Sequence, residues 1–478
     1  MPTQTANEET RLSFWLHVRA FAVPPSMIEA ATARRLAGDW AAACTAAHID
    51  PDVDLRSLAR TRGADLAARI RADLRHLAPD LLRWHMPRIA PRGLLRPGLT
   101  ITLARYGVAD GDDGRPVHLV ARTPPAWADA GQRISLALWD GSHREGFAPG
   151  HPHPHPHPDP RFRLDLHPHL WDARRAAELR TRSGADRPPS EDDPATAPAL
   201  PAVLPQGHGC AVDRWAAEAA VLLRAEGRPT GSGAAPGPRT AAAVAVRLGA
   251  RRWLHVDVDP GTDATRPGPP VLRNAVASTG RHALPVLPDA ATWVLPDLEL
   301  LRSGAVEADR LHPLVASALV PGRAPAGPSG VRDEAGQPRL VDCRGARHRI
   351  GLVDGVLAAL DHGPAEIRRE ELLAELTGTP LPCLQAIDRA HRSPESLTDV
   401  RERLRHGDIT GALAVVEGLL GADARLRSGA LRDELEAAAQ RRIAYGLFRA
   451  GLSGPGQVAP DRRRPRERRS HPRHVRFH

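Results

Sequence analysis

The chain has 478 residues, with 65 basic, 56 acidic and 23 histidine side chains, and it contains no lysine, so every strongly basic side chain is an arginine. P-loop nucleotide sites, protein kinases and Schiff-base enzymes all depend on a lysine amine, which excludes these classes. The arginine bias, with 47 prolines and 41 glycines, is typical of a high-GC genome such as an actinobacterial one. Arginine content alone is therefore weak evidence for nucleic-acid binding.

The net charge of +9 is concentrated at the carboxyl end, because residues 461–478 hold eight arginines and two acids. The four cysteines form no C-x-x-C pair, which is not the pattern of a disulfide scaffold. The amino terminus has no basic segment followed by an apolar run, and no apolar stretch reaches the roughly 18 residues of a membrane span. We therefore predict a cytoplasmic protein with no membrane partner.

Residues 1–95 are predicted to be helical. Pro24-Pro25 is suited to the start of a helix, and residues 65–85 form a long amphipathic stretch with a step at Pro79. Gly38-Asp39 predicts a helix end followed by a new N-cap, and Gly407-Asp408 repeats this turn. The repeat indicates either a partner-binding surface like that of tetratricopeptide hairpins or two ordinary helical hairpins.

From Leu99 the apolar period changes to two, which predicts an antiparallel meander with one face in water. A helix is predicted over 171–182, and further hairpins around Gly249 and Gly345. Beyond Pro364 the chain is predicted to be helical as far as Leu452. The alternating segments of the meander are 99–103, 117–120, 134–138 and 162–166.

The predicted fold class is α+β, with helical ends flanking a central, mostly antiparallel β region and flexible linkers between domains. The predicted segments are a helical domain (1–95), a β meander plus helix (96–182), a linker (183–205), a mixed α/β region (206–320), a linker (321–337), short strands followed by a helical domain (338–452) and a disordered arginine-rich tail (453–478).

One polar cluster has the composition of a catalytic site. On a strand, His255, Asp257 and Asp259 would share a face because their spacing is two, and Asp263 follows a turn. An imidazole and carboxylates can hold Mg²⁺ or Mn²⁺ and activate a water, which suggests a metal-dependent phosphoester hydrolase. The alternative is a hairpin with its polar face in water.

The His-Pro run contains four regularly spaced histidines, His151, His153, His155 and His157. Imidazoles bind zinc, nickel and copper, but alternating prolines keep the backbone extended, so neighbouring rings do not converge easily on one ion. We expect adventitious metal binding at most.

Two cysteine–histidine pairs have the residue types of a nucleophile and its base. They are Cys343 with His348, and His208 with Cys210. Such pairs are common by chance, and Cys343 falls on a predicted half-buried strand, where a thiol behaves as a small apolar group.

The carboxyl-terminal tail can contact phosphates or an acidic partner through guanidinium groups, in a manner blind to sequence and sensitive to salt. The alternative is a solubilising segment biased by base composition. The arginines concerned are Arg462, Arg463, Arg464, Arg466, Arg468 and Arg469.

These features favour a non-catalytic adaptor that acts through protein–protein interaction, with a second contact of the tail to nucleic acid or an acidic partner. No cofactor is predicted. The hydrolase and a nucleic-acid-binding protein are the alternatives. Phe14, Trp15, Trp40 and Trp84 are apolar residues that would serve either as partner anchors or, more simply, as core.

Overall fold

The computed structural model describes two compact units. Unit 1 consists of the described residues of 1–126 and 133–327, and unit 2 of those of 127–132 and 328–458. The described residues are 3–452 except for 108–115, 129–131, 142–152, 154–156, 187–203, 205–208, 228–241, 250, 260–261, 264–265, 268–269, 281–282, 323–338, 354–355, 379 and 422–424.

Unit 1 begins with helices, as the sequence predicts, but three short strands, Ile49–Pro51, Arg88–Ile89 and Leu94–Leu95, interrupt the range 1–95 that was predicted to be helical. Pro25 and Pro79 each occupy the first position of a helix, where a missing N–H costs nothing. The predicted stretch 65–85 is two helices, because Pro79 disfavours helical backbone at the residue before it. The helices are α1 (Thr3–Phe21), α2 (Pro25–Leu36), α3 (Trp40–Ala46), α4 (Leu55–Arg62), α5 (Ala64–His76) and α6 (Pro79–His85).

A four-stranded sheet follows, with strand order β1-β6-β5-β4. Three strands form the predicted antiparallel meander, and β1 adds in parallel to β6. The prediction that one face of the meander lies in water is wrong for β5, since all six residues of this strand are buried. The strands are β1 (Ile49–Pro51), the hairpin pair β2 (Arg88–Ile89) and β3 (Leu94–Leu95), β4 (Thr100–Tyr106), β5 (Val117–Arg122) and β6 (Ile134–Trp139).

The predicted fourth strand of the meander, 162–166, is also wrong. Leu164–Leu166 and Pro168–Leu170 are short 3-10 helices, and the Trp171 indole donates to the Leu164 carbonyl at 3.0 Å. The predicted helix 171–182 is a 3-10 turn, Ala173–Glu178, followed by α7 (Leu179–Ser183). Asp172 Oδ1 accepts a hydrogen bond from the backbone N–H of Arg174 at the start of that turn. Local bonds of this kind, from a side chain to the backbone, compete with regular secondary structure.

The second half of unit 1 packs one helix on a three-stranded antiparallel sheet. The sheet has the order β11-β8-β7, and Trp215 and Leu222 of the helix lie in the core that it covers. The elements are α8 (Val212–Ala225), β7 (Ala242–Arg247), β8 (Trp253–Asp259), β9 (Thr262–Asp263), β10 (Arg266–Pro267), β11 (Val271–Ser278), α9 (Asp289–Thr292), α10 (Pro296–Arg302) and α11 (Pro313–Leu319).

Unit 2 is a three-stranded antiparallel sheet followed by helices. Arg344 and Gly345, at φ 54° and 82°, form the tight turn between its first two strands, as two-residue hairpin loops require. The elements are β12 (Arg339–Cys343), β13 (Ala346–Val353), β14 (Val356–Ala359), α12 (Pro364–Thr377), α13 (Pro382–Arg392), α14 (Leu397–His406), α15 (Ile409–Leu420) and α16 (Ala430–Arg449).

Helices and mainly antiparallel sheets occur together in both units, so the fold class is α+β, as predicted. Most of the two predicted linkers, 183–205 and 321–337, lies outside the described residues. Among the helices that are described, none is both long and apolar enough to cross a membrane.

Candidate functional site

The predicted catalytic cluster lies on β8. His255, Asp257 and Asp259 occupy alternate, half-buried positions of the strand, and the residues between them are buried. His255 Nε2 lies 2.7 Å from the Gly280 carbonyl oxygen, and the Arg273 guanidinium forms an ion pair with Asp259. Two members of the cluster therefore make contacts that a polar sheet face would make anyway.

Asp263 belongs to β9, and the position of its side chain lies outside the described residues. In the part of the chain that the structure describes, some groups of three or more His, Cys, Asp or Glu side chains are close enough together to hold a metal ion. None of these groups contains a residue of β8. The hydrolase hypothesis remains a prediction.

The two described histidines of the His-Pro run contact different partners. His153 is buried, with Nε2 2.9 Å from the Thr123 carbonyl oxygen, whereas the exposed His157 ring packs edge-on against Trp139. His151 and His155 lie outside the described residues. So do His208 and the tail arginines Arg462, Arg463, Arg464, Arg466, Arg468 and Arg469.

The aromatic residues considered as anchors belong to the core of unit 1. Phe14, Trp15 and Trp84 are 4%, 3% and 4% exposed, and Trp40 packs against the same core. All four therefore contribute to the core of unit 1, and Phe14, Trp15 and Trp84 are too deeply buried to contact a partner.

Unit 1 also buries several charged side chains, each facing a partner from a distant part of the chain. His312 Nε2 lies 2.8 Å from Asp80 Oδ2, and Arg161 donates to Asp289 at 2.5 Å. The Trp84 indole N–H likewise donates a hydrogen bond to Asp297 Oδ2 at 2.7 Å. These contacts tie the last helices of unit 1 to its first half, which is a structural role.

Unit 2 contains the one set of four convergent metal-ligand types among the described residues. Cys343, His348, His362 and Cys383 place one ligand atom each within 4.8 Å of the others. His348 Nδ1 is 2.7 Å from His362 Nε2 and 4.0 Å from Cys383 Sγ. Two thiols and two imidazoles are the donor set of a tetrahedral zinc site.

The fold explains how these four side chains meet. Cys343 ends β12 and pairs with Ala346 across the hairpin, so His348, two residues further along β13, lies on the same face. His362 follows β14, and Cys383 is in the first turn of α13. The sequence alone indicates a pairing only of Cys343 with His348, because His362 and Cys383 reach the cluster from a turn and a helix that the fold brings in.

The cluster is poorly suited to nucleophilic catalysis. Cys343 and Cys383 are 1% and 0% exposed. Burial raises the pKa of the Cys383 thiol to about 11, and the Cys343 thiol beside it acts in the same direction. A reactive cysteine needs the opposite, a lowered pKa and access to substrate.

A second feature of unit 2 is its exposed apolar surface. Among the described residues, fifteen large apolar side chains are exposed, and twelve of them belong to unit 2. Three lie together near the end of α12, where Leu372, Leu373 and Leu376 are 57%, 44% and 84% exposed. We call these three residues the α12 stripe.

No family model matches this chain, and neither do curated proteins or solved structures.

Proposed function

We propose that the protein is a non-catalytic adaptor that binds a protein partner through the α12 stripe. The observation that supports this proposal is the exposure of α12 itself. The helix has no buried residue along its 14 positions, although it carries three leucines in its last two turns.

Helices of this length are normally stabilised by packing an apolar face. Residues three and four apart share a helix face, so Leu376 lies beside both Leu372 and Leu373. Contiguous exposed apolar groups of this kind mark interaction sites more often than isolated ones do. Burial on a partner would remove the stripe from water, at a gain of roughly 25 cal/mol per Å².

Charge narrows the chemistry of the partner. Glu371 and Glu375 are exposed along one edge of the stripe, and the exposed Arg369, three residues before Leu372, shares its face. A partner with an apolar groove, basic residues opposite Glu371 and Glu375 and an acidic residue opposite Arg369 would match this surface, as partners of amphipathic helices do when they bind them in grooves.

The test is affinity capture from the native lysate with three baits, the wild type, Leu372→Asp with Leu376→Asp, and Leu36→Asp. Leu36 is the matched control, because it is 75% exposed on a helix of unit 1. We expect one stoichiometric partner with the wild type and the control, and its loss with the double variant. Retention of the partner by all three baits would contradict a role for the stripe.

The proposed contact of the tail with nucleic acid is tested in the same experiment. Nuclease treatment should leave a partner of the α12 stripe in place. Loss of every captured protein on nuclease treatment would instead favour nucleic-acid binding by residues 453–478, and deletion of that segment should then remove both the binding and its salt dependence.

A further inference from the structure

We propose that Cys343, His348, His362 and Cys383 bind one zinc ion, and that this ion holds the sheet of unit 2 to helix α13. The site is independent of the adaptor function. The proposal is supported by the types of donor atom, by the distances between them, by the contact of His362 with the Glu366 carboxylate and by the small core around the four residues.

The donor spacing is close to that of a bound site. Zinc bound at about 2.3 Å to sulfur and 2.0–2.1 Å to nitrogen in a tetrahedron holds its ligand atoms about 3.3–3.8 Å apart. The contacts of 2.7 Å and 4.0 Å made by His348 Nδ1 bracket that range. Adjustments below about 1 Å, within the freedom of side-chain rotation, would complete the tetrahedron.

His362 has the outer contact that zinc-binding histidines usually have. Its Nδ1 lies 3.3 Å from Glu366 Oε1. A proton held on Nδ1 by this carboxylate leaves Nε2 as the free lone pair, and Nε2 is the atom that faces His348. Carboxylate–histidine pairs of this kind orient the ring and increase the basicity of the ligand.

The surrounding core is small. Apart from the two thiols, its buried apolar residues are Ile350, Ala359, Leu381 and Ile387. So few apolar side chains supply little stabilisation, and small domains commonly add a structural metal for this reason. Four protein ligands also fill a tetrahedral shell, which indicates a structural ion with no position open to a substrate.

The test measures metal content and cobalt spectra of the full-length, untagged protein. After dialysis against a weak chelator, we expect one zinc per chain in the wild type and none in Cys343→Ser with Cys383→Ser. Cobalt in the wild type should give tetrahedral visible bands and a thiolate charge-transfer band in the near ultraviolet. Metal held adventitiously by the His-Pro run would lack the thiolate band, because its donors are nitrogens.

The matched control is Cys44→Ser with Cys210→Ser, which removes the other two cysteines and should retain one zinc. Tryptophan fluorescence reports whether each variant is folded elsewhere, because eight of the nine tryptophans belong to unit 1.

Three results would overturn the proposal. The first is wild-type protein, purified under reducing conditions, that contains no zinc and gives no thiolate–cobalt band. The second is zinc retained by Cys343→Ser with Cys383→Ser. The third is a disulfide between Cys343 and Cys383 in the protein as isolated, since oxidised sulfurs do not bind zinc as thiolates do.

Discussion

Glu366 lies four residues after His362, and its Oε1 atom is 3.3 Å from His362 Nδ1. This contact fixes the orientation of the ring, so that Nε2 points to His348 Nδ1 at 2.7 Å. Glu366 is therefore a positioning residue for the proposed zinc site, because it acts on the metal only through His362.

Replacing Glu366 with glutamine should weaken zinc binding by about tenfold or more, the usual effect of losing such an outer contact. Competition with a chromophoric chelator measures the affinity. Glu371→Gln is the matched control, because Glu371 is exposed on the same helix. Equal affinities in the two variants would show that the Glu366 contact does not support the metal.

Asp39 gives a prediction for the stability of unit 1. Its Oδ1 accepts from the Ala42 N–H at 3.0 Å and so caps α3. Asp39→Ala should lower the free energy of unfolding by about 1 kcal/mol, and Asp39→Asn, which retains an acceptor, should cost less. Urea unfolding followed by tryptophan fluorescence measures both. A loss as large in Asp39→Asn as in Asp39→Ala would show that the cap is not the cause.

The features that the sequence predicted correctly are those set by neighbouring residues. Gly38 and Gly407 have positive φ, and Asp39 and Asp408 each cap the helix that follows. The hairpin at Gly345 forms as its turn predicts. In each case the information lies within a few positions of the chain.

The features that were missed depend on contacts between distant residues. Alternation at 162–166 predicts a strand, but that segment folds as 3-10 turns closed by the Trp171 indole. Cys383 reaches His348 only because α13 packs against the sheet of unit 2. The spacing from Cys343 to Cys383 matches no short zinc motif, so the cluster could be recognised only once the fold was known.

The buried pair of Arg161 and Asp289 gives a third prediction. The two side chains are 5% and 6% exposed and meet at 2.5 Å. Asp289→Ala should cost about 3–5 kcal/mol of stability, because it leaves a guanidinium buried without its charge partner. Combining Arg161→Met with Asp289→Leu should recover much of that loss, as measured by urea unfolding. A double variant less stable than Asp289→Ala would mean that packing, not charge, sets the cost.

His167 predicts how the stability of unit 1 depends on pH. The ring is 2% exposed, and Arg182 Nη2 donates to its Nδ1 at 3.1 Å, which favours the neutral imidazole. The Glu218 carboxylate, with Oε2 3.7 Å from Nδ1, favours the protonated ring, but burial outweighs it. Burial lowers the pKa of His167 from 6.5 to about 4. The unfolded chain therefore binds a proton that the folded chain does not, so the stability from this residue is complete above about pH 6.5 and falls as the pH approaches 4.

The loss contributed by His167 should be about 2 kcal/mol between about pH 7.5 and pH 4.5. His167→Gln has no imidazole to protonate but keeps an acceptor for Arg182, so its stability should fall less over this range. His76→Gln is the matched control, because it removes an imidazole that is exposed at the end of α5. Urea unfolding at several pH values measures how the free energy of unfolding changes with pH in the wild type, His167→Gln and His76→Gln. If His167→Gln loses stability as steeply as the wild type does, protonation of His167 is not the cause of the acid sensitivity.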